Sequence, residues 1–198
     1  AAARGSTEAA FFGEIHRMFN TTGTISLGWN TTRFDETVSR FGFWRNFLDP
    51  YEHTYKNDCS TWDLIDLARA ARALRPSGIQ WPLRDDGAPS FRLEDLTAAN
   101  DIEHGDAHDA MADVRATIAI ASLLRKHQPD LWKWAKGLIR TENAEDILKG
   151  DKPFVHTSAR IPAKLGCTSP FRMLAPHPVN KRSFICWDLR EDPSELLD

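Results

Sequence analysis

The thirteen residues from Asp101 to Asp113 read Asp-Ile-Glu-His-Gly-Asp-Ala-His-Asp-Ala-Met-Ala-Asp, five acids and two histidines with no Lys or Arg. Like charges repel, so a folded chain that gathers them calls for a neutraliser. A hard divalent cation such as Mg²⁺, which takes carboxylate oxygens and keeps several waters, is the natural one. A solvated acidic loop is the other reading of the same residues. Spacing narrows the choice. His108 and Asp113 lie five positions apart, roughly 140° around a helix, so mid-helix they cannot meet at one ion. They can meet if His108 sits in a loop and Asp113 in the first turn of the helix that follows, with Asp109 as N-cap. Gly105 supports a loop there and argues against His104 and His108 as a zinc-binding i, i+4 pair.

A second acid stands out by position. Asp35 ends the phrase Gly-Trp-Asn-Thr-Thr-Arg-Phe-Asp, residues 28–35. An acid just beyond the carboxyl end of a strand is where open α/β sheets place ligands. The alternative is a plain N-cap for the helix that follows.

The elements that must position these acids can be read from periodicity. Phe11, Phe12, Ile15, Met18 and Phe19 recur at helical spacing over 8–19, and Thr24 to Trp29 has the composition of a short strand ending at Asn30. A helix is expected from Phe34 to about Leu48, closed by Asp49-Pro50. Another is expected over about 60–75, stopped by Arg75-Pro76-Ser77-Gly78. Asp85 to Pro89 is a loop, and Ser90 reads as the N-cap of a helix running towards Asn100. The strongest helix pattern covers about Asp109 to His127, and Gln128-Pro129-Asp130 breaks it. Beyond that break, Leu131 to Leu148 is polar-helical, while Phe154 to Thr157 and Ser183 to Trp187 read as strands among Pro-rich turns. The fold class is α/β, followed by the start of a β domain.

The chain has 198 residues, 41% hydrophobic and 27% charged, an ordinary globular mixture. No apolar run approaches the roughly 18–20 residues of a membrane-spanning helix. The formal net charge of −3 excludes a uniformly basic coat but leaves room for a local basic groove. Cys59, Cys167 and Cys186 have no metal-type spacing and leave an odd thiol, which fits a reduced, cytoplasmic setting.

Asn-x-x-x-Phe-Asp at 30–35 and His-x-x-x-x-Asp at 108–113 resemble the second and third signature motifs of the DEDDh 3′→5′ exonucleases. Further phrases make the likeness closer. Phe43 to Tyr51, Trp62-Asp63-Leu64-Ile65-Asp66, Ala73-Leu74-Arg75-Pro76, Pro89 to Glu94, Ala107 to Asp113 and Pro153 to Ser158 resemble, in this order, the bacterial exodeoxyribonuclease I family. The resemblance implies a ribonuclease H-like (DnaQ-like) exonuclease domain over 1–128, lacking its first strands. A linker helix and the start of an SH3-like domain would follow over 129–198.

It also implies function: 3′→5′ degradation of single-stranded DNA to 5′-mononucleotides, in repair or recombination, using two Mg²⁺ ions that clamp the phosphate and ionise the attacking water. By that resemblance Asp35 and Asp113 are metal-site carboxylates, and His108 is the general base. DNA contacts fall on Arg92, Arg40, Tyr51, Tyr55, Arg69 and Phe91, cations for phosphates and rings for bases. Two bland alternatives stand beside these: Arg69 with Arg72 as a solvated helix face, and Tyr51 as a core residue. Arg75, Trp134 and Lys152 correspond to positions that bind the acidic, Phe-ended tail of single-stranded-DNA-binding protein. The protein is expected to be a monomer with no membrane partner.

One departure matters. The family's first motif, Asp-x-Glu on a strand, has no counterpart; Asp101-Ile102-Glu103 has the letters but belongs to the loop before His108. With no initiator Met, and an end that reads as the opening of an element, the chain is expected to be a fragment without metal-dependent catalysis. A non-catalytic single-stranded-DNA-binding module is the alternative.

Overall fold

The computed structural model describes residues 5–103 and 110–196. The chain divides into two compact units, residues 1–64 and 65–198.

In the first unit, helix α1 (Glu8–Phe19) begins where Thr7 Oγ1 accepts the backbone N–H of Ala10 at 3.3 Å. Strand β1 (Ile25–Gly28) runs into a tight turn and then helix α2 (Asp35–Arg45), and strand β2 (Ser60–Asp63) closes the unit. The two strands pair in parallel, Ile25 opposite Ser60 and Gly28 opposite Asp63, so their carboxyl ends lie side by side. The core is aromatic. Phe43 is fully buried, and the rings of Phe12, His16, Phe19 and His53 stand edge-on or tilted around it, with centroids 5.0–6.4 Å away.

Two expectations change here. Residues 60–63, expected as the opening of a helix, are strand β2, because Ser-Thr-Trp-Asp carries β-favouring Thr and Trp and finds β1 alongside. The helix expected to reach Leu48 stops at Arg45: Asn46 caps it, Phe47 turns into the left-handed region at φ 60°, and Leu48 N–H returns to the Phe43 carbonyl at 2.9 Å.

The second unit is built on helices α3 (Leu64–Leu74), α4 (Leu93–Ala99) and α5 (Ala110–His127). α5 buries Ala112, Ala116, Ile120 and Leu124, a four-residue repeat that makes one apolar stripe. α4 buries Leu93 and Leu96, and the buried Thr97 hydroxyl donates to the Leu93 carbonyl at 3.0 Å. Ser90 is not the cap of α4. Arg92 takes that position in extended conformation, while Ser90 Oγ donates to Asp95. The polar-helical stretch past the Gln128 break is two helices, α6 (Pro129–Gly137) and α7 (Thr141–Lys149), separated where Leu138 caps the first.

Strands β3 (Phe154–Thr157), β4 (Thr168–Pro176) and β5 (Phe184–Asp188) form an antiparallel sheet in that order, with a register shift between Met173 and Ala175. β4 carries Pro170 and Pro176, residues that weaken a strand pattern. Among the described residues no helix is long and apolar enough to cross a membrane. Cys59, Cys167 and Cys186 are all free thiols.

Candidate active site and nucleic-acid interface

The turn after β1 is held by an acid on its neighbour strand. Asp63, last residue of β2, accepts the backbone N–H groups of Asn30 at 2.7 Å and Thr32 at 3.2 Å, and the Thr32 hydroxyl at 3.1 Å. Asn30 is in the left-handed region at φ 57°. Gly28 leaves room for Thr31, since a Cβ there would lie 2.1 Å from Thr31 Cγ2 and force that side chain to shift. This clamp fixes where α2 starts. Phe34 occupies the N-cap position without a side-chain bond, and Asp35 is the exposed first residue of the helix. Its carboxylate sits where unpaired N–H groups favour negative charge. Asp35 is therefore not a capping side chain.

Asp113 lies in the first turn of α5 and is exposed. His108 and Asp109 lie outside the described residues, as do His104 and Gly105. Asp35 belongs to the first unit and Asp113 to the second. Carboxylate oxygens suit a hard cation. Among the described residues no three His, Cys, Asp or Glu side chains gather to hold an ion. Asp35 and Asp113 match the donor chemistry of a Mg²⁺ site, and among the described residues they are not joined by a third ligand. Asp101-Ile102-Glu103 follows α4 outside any strand, with Asp101 at φ 53°.

The expected strand-contacting residues fall into two groups. In the first unit, the Arg40 guanidinium carbon stands 5.1 Å from the centre of the Tyr51 ring. Tyr51 is 54% exposed, so it is not a core residue. Its segment is pinned by Asp49 Oδ1, which accepts the N–H groups of Tyr51 at 2.8 Å and Glu52 at 3.1 Å. These bonds hold the Asp49 carboxyl below its usual range. Tyr55, four residues on, is also exposed.

In the second unit, Arg69 pairs with Asp66 at 2.6 Å, and its guanidinium carbon lies 5.7 Å from the centre of the Phe91 ring. Arg69 and Arg72 are not a fully solvated face, since the Nε atoms of both are buried. Phe91 corrects the expectation of an open stacking face: it is buried, because the loop before α4 packs it beneath Arg69 and beside Trp81. Arg92 next to it is exposed, and its Nε donates to Glu94 at 2.8 Å. Arg75, Trp134 and Lys152 are all exposed, Arg75 just past α3, Trp134 within α6 and Lys152 ahead of β3.

Three residues that shape the candidate site escaped the sequence reading. Asp63 sits at a strand's carboxyl end, the same positional signal that marked Asp35. Buried His53 and half-buried Glu36 form a pair, Nε2 to Oε2 at 3.3 Å, beside Arg40. The four-residue spacing of Glu36 and Arg40 was a visible helix-face signal. The contact with His53 crosses between segments and had none.

A family model described as exonuclease matches residues 4–121. The chain belongs to the exonuclease family. A second model, the exonuclease I SH3-like domain, matches residues 140–198. The fold is thus a ribonuclease H-like exonuclease domain followed by an SH3-like domain. Exodeoxyribonuclease I of Escherichia coli (strain K12) is 48% identical over 203 residues, covering 100% of this chain and 42% of that relative. The zinc ion-bound form of an E. coli ExoI–ssDNA complex superposes with a TM-score of 0.91 at 46% identity, covering 99% of this chain and 42% of that one. The ExoI/SSB-Ct complex gives 0.90 at 47% identity, covering 99% and 43%. The chain thus spans about two fifths of the length of the exodeoxyribonuclease I relatives it matches.

Proposed function

We propose that this chain is the exonuclease-domain and SH3-like part of an enzyme that degrades single-stranded DNA from the 3′ end to 5′-mononucleotides, in DNA repair or recombination. The exonuclease match over residues 4–121, which contains Asp35, His108 and Asp113 in the order the signature motifs require, carries the reading. A division near Gln128, between residues 1–128 and 129–198, belongs to it, supported by the gap between the two family matches.

In this reading Asp35 and Asp113 offer carboxylate oxygens to divalent metal, Mg²⁺ by family, and Asp63 keeps Asp35 in place through the turn at 30–32. A divalent metal held by these carboxylates would supply positive charge for the scissile phosphate and lower the pKa of an attacking water. His108 takes the proton from that water, a task matched to imidazole. Arg92, Arg40 and Arg69 meet phosphates, and Tyr51 and Tyr55 offer faces to bases. Phe91 supports Arg69 from beneath. Arg75, Trp134 and Lys152 take the acidic, Phe-ended tail of single-stranded-DNA-binding protein, a cation for a carboxylate and an aromatic for a phenyl ring; the ExoI/SSB-Ct complex supports this choice of partner.

A second reading is a non-catalytic single-stranded-DNA-binding module. It is favoured by one observation: among the described residues no strand carries an Asp-x-Glu. The two readings part in one experiment, digestion of a 5′-labelled single-stranded oligonucleotide by the 198-residue chain and by a chain extended to its relatives' length, each with Mg²⁺ and with EDTA. The expected result is Mg²⁺-dependent shortening from the 3′ end by the extended chain alone. No shortening by either overturns the enzyme reading. Shortening by the 198-residue chain means its own acids complete the site.

A further inference from the structure

We infer that Glu36 and His53 are positioning residues that hold Arg40 and Tyr51 as one preformed cation–aromatic surface for single-stranded nucleic acid. The inference rests on the reading of Arg40 and Tyr51 as strand contacts and goes one layer beneath it.

Glu36 lies in the first turn of α2, one residue past Asp35, with its side chain only 11% exposed. A carboxylate so covered needs partners, and it has two. Arg40 Nη2 reaches Glu36 Oε2 at 3.3 Å, one helical turn along α2. The ring N–H of His53 donates to the same oxygen at 3.3 Å from a fully buried site. His53 is in turn wedged between Phe43 and Phe19, with ring centroids 5.5 and 5.7 Å away. Glu36 therefore ties the guanidinium of α2 to the aromatic core through the short turn Glu52–Thr54, and that turn begins at Tyr51.

The consequence is geometric. Arg40 is a long side chain that costs rotamer freedom to immobilise. Glu36 bears that cost in the free protein by fixing the guanidinium 5.1 Å from the Tyr51 ring centre. A surface ordered before binding loses less entropy when a phosphate and a base arrive.

Charge and position predict opposite signs, which makes the inference testable. Glu36→Gln removes a negative charge next to a phosphate contact, so charge alone predicts tighter binding. Loss of positioning predicts weaker binding. The measurement is fluorescence anisotropy of a 5′-fluorescein oligothymidylate of about 16 nucleotides with the 198-residue chain in EDTA. Variants are Arg40→Ala, Glu36→Gln, their double, His53→Phe and His53→Gln, each checked for folding by circular dichroism. Glu36→Gln and His53→Phe are expected to weaken binding about 3- to 10-fold, with Glu36→Gln adding nothing once Arg40 is alanine. His53→Gln, whose amide can still donate to Glu36, is expected to stay within about twofold of the parent.

Unchanged or tighter binding by Glu36→Gln, or an equal cost with and without Arg40, overturns the positioning role while leaving the DNA contact intact. If Arg40→Ala itself binds like the parent, or the parent does not bind, the DNA-contact reading fails and the positioning role falls with it. Should Glu36→Gln not fold, the His53→Phe and His53→Gln pair decides: equal affinities overturn the inference.

Discussion

The carboxyl end of the parallel β1–β2 pair and the antiparallel β3–β5 sheet both display aspartates, and they use them in opposite ways. In the sheet, Asp188 at the end of β5 accepts Ser169 Oγ at 2.5 Å from β4 and Arg190 Nε at 3.0 Å. Its charge is consumed in holding two strands and a turn together. At the parallel end the work is divided. Asp63 accepts three hydrogen bonds from the turn at 30–32, while Asp35 beyond that turn points from the first helical residue into solvent. One acid orders the backbone and the other is left open to solvent. Residue type is the same at all three positions; which N–H and O–H groups surround each carboxylate separates an acid tied into the fold from one left exposed.

The sharpest test of this contrast replaces charge without changing shape. In the extended chain, Asp35→Asn is expected to lower oligonucleotide cleavage about 10²–10³-fold at unchanged melting temperature. Asp188→Asn is expected to leave the cleavage rate alone. His108→Ala in the same chain should lose about 10²–10⁴-fold in rate while binding DNA normally. Equal losses of rate and affinity would remove its general-base role.

Asp63→Ala breaks the division of labour at its structural half. It releases two backbone N–H groups and a hydroxyl at a partly exposed turn, an effect like losing a helix cap, worth about 1–2 kcal/mol by urea denaturation. If stability holds and cleavage falls as far as in Asp35→Asn, Asp63 belongs with the chemical acids instead.

A pH titration sharpens the sheet side. Arg190, followed by Ser169, keeps the Asp188 carboxyl far below its ordinary 3.8. A group whose folded pKa is depressed stabilises the protein above its unfolded value, and that contribution fades as pH falls towards the folded one. The stability gap between parent and Asp188→Asn is therefore expected to be full near neutrality and to close below about pH 4. A gap that stays constant in acid would mean Asp188 acts by packing rather than charge. The smallest effect is expected from Arg92→Ala, which should weaken single-strand binding and flatten its salt slope by about 0.7. An unchanged slope takes Arg92 off the phosphates.

The local pattern was enough for α1, whose periodicity and ends match Glu8–Phe19, for β1, and for α5, whose apolar pattern runs the length of the helix. It was also enough for the ordered motifs around Asp35 and Asp113, since a family signature is itself a local string. It failed where a partner elsewhere in the chain decides. Ser60–Asp63, with β-favouring Thr61 and Trp62, settles as a strand where β1 offers a parallel edge. Thr168–Pro176 holds as a strand, despite two prolines, because β3 and β5 flank it. The same limit governs the site. Sequence determined which acids, cations and rings this protein has available and roughly which elements carry them. Tertiary structure alone decided that Phe91 is buried under Arg69, that Asp63 is a clamp, and that a buried histidine anchors Arg40 through Glu36. Helix propensity and motif spacing act within a few residues, whereas burial and hydrogen-bond partnership depend on contacts between segments far apart in the chain.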